Sequence, residues 1–432
     1  MKKETLKQII RDFHVAPVPE LYGRDLKLPT GTGKIMSLIG PRRSGKTSLL
    51  YNVMTELLSH GVPKSSILYL NFEDERLDLA TAELDLIIQA YLELYPEEKL
   101  ETCHLFFDEI QNVAGWDRFV RRVYDTASRN IYLTGSNARL LSSEIATSLR
   151  GRTVSSEVLP LSFGEYLRFR DVTPDRYSSR SQAQINNELE RYLQTGGFPE
   201  VIGFDEPFRN RVLQEYFNVM IYRDLLERYA IGNLAVLKFF LKRLCASATK
   251  SVSVNAIFNE LKSVGFKVGK NQLYDWLDAC QAIYLAFVVK KLTASTMERE
   301  LGEKKLYVVD NGLLNAISYR FSEDRGKALE QAVFLELRRR GHELFFFKER
   351  GECDFVVKRG ARVMAAIQVC VSIEDTSTRR RELRGLAECC HAFGLDEGTI
   401  VTVGGTEELE HDGIKVRVVP LVWWLLEEGV EV

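Results

Sequence analysis

The sequence predicts an α/β protein of more than one domain, and three stretches carry that prediction. The apolar run Ile35 to Ile39 ends in Gly40-Pro-Arg-Arg-Ser-Gly-Lys46-Thr47 and passes at once into a helix-patterned segment. The apolar triplet Leu105 to Phe107 ends in Asp108-Glu109. Near the other end, two strand-like runs, Cys353 to Val357 and Ala365 to Val371, follow a helical pattern that contains Glu330. Short apolar runs closed by glycine or acidic residues, alternating with helical periodicity, are how buried parallel strands read in sequence.

Size and composition bound the rest. At 432 residues the chain is too long for one ordinary core, so two to four domains are expected. Its 45% hydrophobic and 27% charged content is that of a folded globular chain. A net charge of -2 offers no global attraction for nucleic acid or membrane, so any such surface is a local patch. The opening "MKKETLKQIIRDFHVAPVPE" reads as a charged amphipathic helix without the apolar centre of a signal peptide. No stretch reaches the roughly 20 apolar residues of a membrane span, so no membrane association is expected. Seven cysteines sit mostly in apolar surroundings, which reads as buried reduced thiols in a cytoplasmic protein.

The first stretch fits the G-x-x-x-x-G-K-[ST] phosphate loop of a nucleotide-binding NTPase domain. Its glycines let the backbone of Gly40, Pro41, Arg42, Arg43, Ser44, Gly45, Lys46, Thr47 and Ser48 curl so that N–H groups and the following helix start face phosphate oxygens. Lys46 is placed for the β- and γ-phosphates and the Thr47 hydroxyl for Mg²⁺. Leu49, Val53 and Leu57 share one face of the helix. In the second stretch, Asp108 at a strand end is the second Mg²⁺ holder and Glu109 the base that polarises attacking water. A further strand, Ile131 to Leu133, ends in Thr134-Gly135-Ser136-Asn137, whose polar side chains, Asn137 the candidate among them, either sense a γ-phosphate or make an ordinary turn. Arg150 and Arg152 flank Gly151. Arg152 is a candidate to complete the site of a neighbouring copy, which implies a homo-oligomer, and an intramolecular salt bridge competes with that reading.

Downstream, residues 161–235 read as a helical lid, with Tyr216, Val219, Met220 and Leu226 at helical spacing. Residues 236–318 have a helix-turn-helix rhythm: Ser253 to Lys262, a turn with Gly265 and Gly269, then Lys270 to Ala279. Strands Ile283 to Val289 and Lys305 to Val309 complete the pattern of a winged helix. Lys270, Asn271 and Gln272 begin the second helix, where a recognition helix meets base edges, and Lys290 and Lys291 are expected at the wing tip, near phosphates. Winged helices also serve as protein-binding modules, so both DNA and a protein stay open as the partner.

The stretches "GPRRSGKTSLL", "YLNFEDERL", "FFDEIQNVAGWDRFVRRVYD", "LTGSNARLLSSEIATSLRGR", "LPLSFGEYL" and "GGFPEV" together resemble the AAA+-type ATPases of the archaeal and bacterial family known as AAA_14 with a DUF4143 C-terminal region. The phosphate loop and acidic pair are generic; "LPLSFGEYL" and "GGFPEV" narrow the resemblance. It implies ATP rather than GTP, an ATP-hydrolysing domain over residues 1–160, a winged helix, and a degenerate restriction-endonuclease-like domain over residues 319–432.

That last domain has its own puzzle. A metal-dependent nuclease of this layout follows an acid with Glu or Gln and then, one residue later, a lysine. Here Asp354 is followed by Gln368-Val369-Cys370, so a thiol stands in the lysine position, and Glu330, Asp354 and Gln368 are left as candidate metal ligands. Arg379, Arg380 and Arg381 begin the next helix and read as a solvated or phosphate-facing surface. The expectation is a nuclease fold kept for binding or packing, with no cleavage. Taken together the sequence points to a Mg²⁺-dependent ATPase coupled to duplex or branched DNA, against a protein-binding switch in defence or toxin control and an ATP-gated nuclease.

Overall fold

Five apolar runs form the first sheet: β1 (Ile35–Ile39), β2 (Ile67–Asn71), β3 (His104–Asp108), β4 (Asn130–Gly135) and β5 (Thr153–Glu157). The structure is a computed structural model that describes residues 2–19, 21–136, 149, 151–227, 229, 231–293, 295–317 and 324–427. The chain falls into two units, Met1–Val158 and Leu159–Val432.

In the first unit the strand order is β2-β3-β4-β1-β5, and every pairing is parallel. Side chains alternate between two buried faces, as the period of two demands. Leu105 and Phe107 point into a core shared with Ile87, Tyr91, Phe119 and Val123, and with Leu6 and Ile10 of the N-terminal helix Lys2–Val15. Phe106 points the other way, stacked on Tyr132 at 4.4 Å, in a core with Leu49, Val53 and Leu57 of the helix Lys46–Ser59. Parallel strands place all their carboxyl ends on one edge. Ile39, Asp108 and Gly135 therefore end together, and in open α/β sheets that edge is where ligands bind.

The second unit begins with helices Phe163–Phe169, Ser179–Thr195, Glu206–Val219 and Leu234–Ala246, with π-helical turns over Met220–Glu227. Tyr216 and Met220 are buried as their spacing implies, whereas Val219 is exposed. The motif stretches of this unit are tied together by one buried acid. Leu161 N–H donates to the Gly197 carbonyl at 2.8 Å, Gly197 N–H donates to Asp310 Oδ2 at 2.7 Å, and Leu313 N–H donates to Asp310 Oδ1 at 2.8 Å. A Cβ on Gly197 would lie 2.5 Å from the Leu161 carbonyl oxygen, so the close approach requires glycine. Ser162 then caps the helix Phe163–Phe169 reciprocally with Glu165. "LPLSFGEYL" and "GGFPEV" are thus two sides of one contact.

Helices Val254–Ser263 and Lys270–Ala282 follow, with Ile257, Leu261, Leu273 and Leu277 buried. Next come β6 (Ser251–Val252), β7 (Ala286–Lys291), β8 (Lys304–Val308), β9 (Glu343–Lys348), β10 (Glu352–Arg359), β11 (Arg362–Val369), β12 (Glu397–Thr402), β13 (Glu407–His411) and β14 (Ile414–Pro420). They form one mixed sheet in the order β13-β14-β12-β11-β10-β9-β7-β8-β6. Two expectations change here. β7 and β8 pair antiparallel as a wing would, but β7 also pairs parallel with β9, Lys290 against Phe345 and Lys291 against Phe346. A boundary at residue 318 therefore runs through a continuous sheet. For the same reason Lys290 and Lys291 do not stand at an exposed tip; they are half-buried in a strand flanked on both sides. Among the described residues no helix is long and apolar enough to cross a membrane, and all seven cysteines are free and buried.

Candidate functional site

Two clusters of polar side chains lie in otherwise apolar surroundings, one in each unit. The first sits at the carboxyl edge of the parallel sheet. β1 delivers the chain into the loop Gly40–Gly45, where a Cβ on Gly40 would lie 2.2 Å from the Val158 carbonyl oxygen, so only glycine lets the loop turn against β5's exit. Arg43 takes a left-handed conformation, φ 63°. The Ser44 hydroxyl donates to the Pro41 carbonyl at 3.0 Å, and Arg24 braces the turn from outside by donating to the Ser44 carbonyl at 2.7 Å. Arg42 is held to the side by Glu73 at 2.8 Å.

The charged groups converge inside this loop. Lys46 Nζ donates to the carbonyls of Gly40 and Pro41, at 3.2 and 2.9 Å, and stands 3.5 Å from Glu109 Oε1. The Thr47 hydroxyl donates to Asp108 Oδ2 at 2.8 Å, joined there by the Tyr69 hydroxyl at 3.1 Å. Thr134, at the end of β4, donates to Asp108 Oδ1 and accepts the Glu109 N–H at 2.8 Å. Glu109 itself has φ 52°, a region non-glycine residues rarely adopt, and strain of this kind collects at functional sites.

Electrostatics push the two neighbouring acids apart. Burial raises the Asp108 carboxyl, the Thr134 and Thr47 hydroxyls pull it down, and the Glu109 charge raises it again; the net is upward. Burial would raise Glu109 too, but the Lys46 ammonium, the Gln111 amide, Arg42 and the Ser136 hydroxyl together hold it low. Two acids separated in this way suit two roles, one to hold a cation and one to remain an ionised base. A hydroxyl and a carboxylate meeting beside a phosphate loop fit Mg²⁺, which takes few protein ligands and shares its sphere with phosphates and water.

Matches to known proteins agree with this geometry. Residues 32–167 match AAA_14, described as an AAA domain. The uncharacterized protein MJ1544 of Methanocaldococcus jannaschii is 34% identical over 440 residues, which cover 98% of this chain and 96% of that protein. The chain belongs to that protein's family, which carries a phosphate-loop ATPase domain of AAA type. An uncharacterized protein of Haemophilus influenzae is 30% identical over 92% of this chain and 95% of its own length. The resemblance implied a DUF4143 region; the match downstream of the AAA domain is instead a domain of unknown function, DUF8612, over residues 186–324. Among solved structures, the Walker-type ATPase PABY2304 of Pyrococcus abyssi is similar at TM-score 0.41 and 17% identity, over 73% of this chain and 95% of that one. The Aeropyrum pernix ORC1 protein in complex with DNA is similar at TM-score 0.29 and 12% identity, over 73% and 91%. Likenesses this distant say nothing about what the chain acts on.

Other expected residues of the AAA domain lie elsewhere. Asn137 and Arg150 fall outside the described residues. Arg152 Nε donates to Asp125 Oδ1 at 3.1 Å, and its guanidinium lies 5.7 Å from the centre of the Tyr124 ring. Its carbonyl pairs with Ile35 N–H at the start of β1, about 16 Å along the strand from the phosphate loop. Within one chain it is an ion-paired residue far from Lys46. Sequence reasoning missed Tyr69 and gave Thr134 no specific role, although both stand on the strands that flank β3.

The second cluster lies in the C-terminal sheet and corrects the reading of Cys370. Cys370 follows β11 and is buried, with its thiol pushed up to about 12, mainly by burial. Yet a cation is present. Lys305 of β8 reaches the cluster, with Nζ at 2.8 Å from Asp354 Oδ1, 2.7 Å from Glu352 Oε1 and 3.3 Å from Glu330 Oε1. Asp354 Oδ2 accepts the Val369 N–H at 2.9 Å. Gln368 accepts the Asp354 N–H at 3.1 Å and donates to Glu382 at 2.5 Å, so both ends of its amide are engaged. Arg381 pairs with Glu382 and Arg379 with Glu407, while Arg380 and Arg381 are exposed on the solvated face of their helix.

Proposed function

We propose that this chain binds and hydrolyses Mg·ATP at the carboxyl edge of its parallel sheet. The observation that carries the reading is the meeting of Thr47 with Asp108 and of Lys46 with Glu109 at one phosphate loop. In this proposal the loop amides and Lys46 hold the phosphates, and Lys46 exchanges its contacts with the Gly40 and Pro41 carbonyls for phosphate oxygens. Thr47 and Asp108 would hold Mg²⁺, which offsets the negative charge on the phosphate oxygens. Glu109, kept ionised by Lys46, accepts a proton from water. Thr134 fixes Asp108 and the Glu109 backbone in register with one another. Lys46→Ala is expected to lose the stabilisation that Mg·ATP confers. Glu109→Gln should keep it and turn over about 10²- to 10⁴-fold more slowly; wild-type turnover in Glu109→Gln would remove Glu109 as the base.

The proposal extends to coupling with duplex or branched DNA through the helix Lys270–Ala282, whose first residues Lys270, Asn271 and Gln272 are exposed. Lys290 and Lys291 lend this less support than their sequence suggested, because both are half-buried in β7. That burial favours the second reading, an ATP-dependent switch that binds a protein. ATPase rates with and without duplex, single-stranded and four-way-junction DNA separate the two. Stimulation by one form, lost in Lys270→Ala, supports DNA coupling; no stimulation and no binding supports the switch. A homo-oligomer belongs to the same proposal: Arg152 acts only on a neighbouring copy, so Arg152→Ala should lower turnover without weakening ATP binding.

A further inference from the structure

The cluster around Lys305 has the shape of a cation site with the cation built into the chain. Three carboxylate oxygens, from Glu330, Glu352 and Asp354, converge on one point at 2.7 to 3.3 Å, and the Lys305 ammonium occupies that point. The lysine is 3% exposed, so it is a buried occupant of the cluster and not a surface side chain resting nearby. It arrives from β8, although β7 and β9 stand between β8 and β10 in the sheet order. Burial disfavours a charged lysine, but Asp354, Glu330 and Glu352 more than reverse this, so the ammonium stays protonated. Glu330 moves up through burial and the Asp354 charge, and the Tyr307 hydroxyl donates to it at 2.7 Å.

The residues do not fit the divalent metal that the nuclease-like layout implies. The point at which a hard metal would draw these oxygens to about 2.0–2.6 Å is taken by Lys305 Nζ, 2.7 to 3.3 Å from them. Asp354 divides its two oxygens between Lys305 and a backbone N–H, and the Gln368 amide is engaged at both ends, its oxygen by the Asp354 N–H and its nitrogen by Glu382. Among the described residues no group of three or more His, Cys, Asp or Glu side chains is arranged to hold a metal ion.

We propose that the Lys305 ammonium permanently fills the cation position of this carboxylate cluster, so that the C-terminal sheet works without a divalent metal. The lysine absent at Cys370 has not simply been lost. A lysine from another strand stands where the metal would, and it ties β8 to β10. It follows that the ammonium, and not the lack of acids, keeps metal out.

The test is Mn²⁺ binding by the full chain in an Asp108→Asn background, which removes the metal site of the AAA domain, read by electron paramagnetic resonance at about 100 μM Mn²⁺. The chain with Lys305 intact is expected to bind none. Lys305→Ser should gain one Mn²⁺, and Lys305→Ser with Asp354→Asn should lose it again. Mn²⁺ bound with Lys305 in place and abolished by Asp354→Asn overturns the proposal, as does a folded Lys305→Ser variant that binds none. If Lys305→Ser does not fold, Lys305→Gln, which keeps much of the length without the charge, takes its place with the same expected gain of one Mn²⁺, and a folded Lys305→Gln variant that binds none overturns the proposal. Metal-dependent cleavage of any DNA or RNA, lost in Asp354→Asn, overturns it equally.

Discussion

Asp310 offers a measurement whose size follows from its surroundings. Its carboxylate is buried and accepts the N–H groups of Gly197 and Leu313 at 2.7 and 2.8 Å, which hold the two family motifs together. Burial pushes its carboxyl up from the usual 3.8 to about 6, and the backbone N–H groups only partly offset that. The folded chain therefore keeps a proton between about pH 4 and 6 that the unfolded chain releases. Unfolding sheds that proton, so the contribution to stability is full below about pH 4 and is lost as pH rises through 6. A shift of about 2 units corresponds to about 3 kcal/mol. Asp310→Asn removes the titration while keeping the shape. It also turns one amide N–H₂ toward a backbone N–H, a pH-independent cost of about 1–3 kcal/mol. Urea unfolding, followed by tryptophan fluorescence, compares the two; three of the four tryptophans, Trp276, Trp423 and Trp424, lie in the second unit. The stability of wild type relative to Asp310→Asn should fall by about 3 kcal/mol from pH 4 to pH 7, so an advantage of about 1–3 kcal/mol at pH 4 is cancelled or reversed. Parallel profiles, with a gap constant to about 0.5 kcal/mol, would refute the reasoning.

Further outcomes follow from the same contacts. Thr134→Val leaves the Glu109 N–H without its acceptor and should cost about 1–3 kcal/mol in urea unfolding, with ATP turnover falling as Asp108 and Glu109 lose their common brace. Asp108→Asn removes a carboxyl whose charge burial opposes, so the nucleotide-free chain should melt higher while the shift produced by Mg·ATP disappears. Gly197→Ala forces a Cβ to 2.5 Å from the Leu161 carbonyl and should cost about 3 kcal/mol or more, seen as a lower urea midpoint.

The phosphate-loop site was legible because its physics is local. A buried parallel strand reads as an apolar run, and the loop, the helix and the acidic pair each occupy a few consecutive residues. The C-terminal cluster was not. Lys305 stands next to Lys304 in a stretch that reads as a half-exposed hairpin, and its partners Glu330 and Asp354 lie 25 and 49 residues away. They meet only once β8, β10 and the helix Arg325–Arg339 have come together in the folded unit. The expectation of an exposed wing tip erred for a related reason: helices Val254–Ser263 and Lys270–Ala282 followed from periodicity, but which strand lies beside β7 is a long-range choice. Asp310 was passed over because a lone acid after an apolar run reads as a turn: its contact with Leu313 is local, and the Gly197 N–H it also holds lies 113 residues upstream.

The parallel pairing of β7 with β9 also sets a timetable for synthesis. When β7 and β8 have left the ribosome, one side of β7 is an open strand edge, and its neighbour β9 is complete only roughly 40 residues later. At about 5–20 residues per second, that edge waits about 2–8 seconds for its neighbour. Exposed edges recruit other chains. The lysines Lys290 and Lys291, half-buried once β9 arrives, are well chosen for the interval before it, when their charge would discourage two nascent chains from pairing with each other.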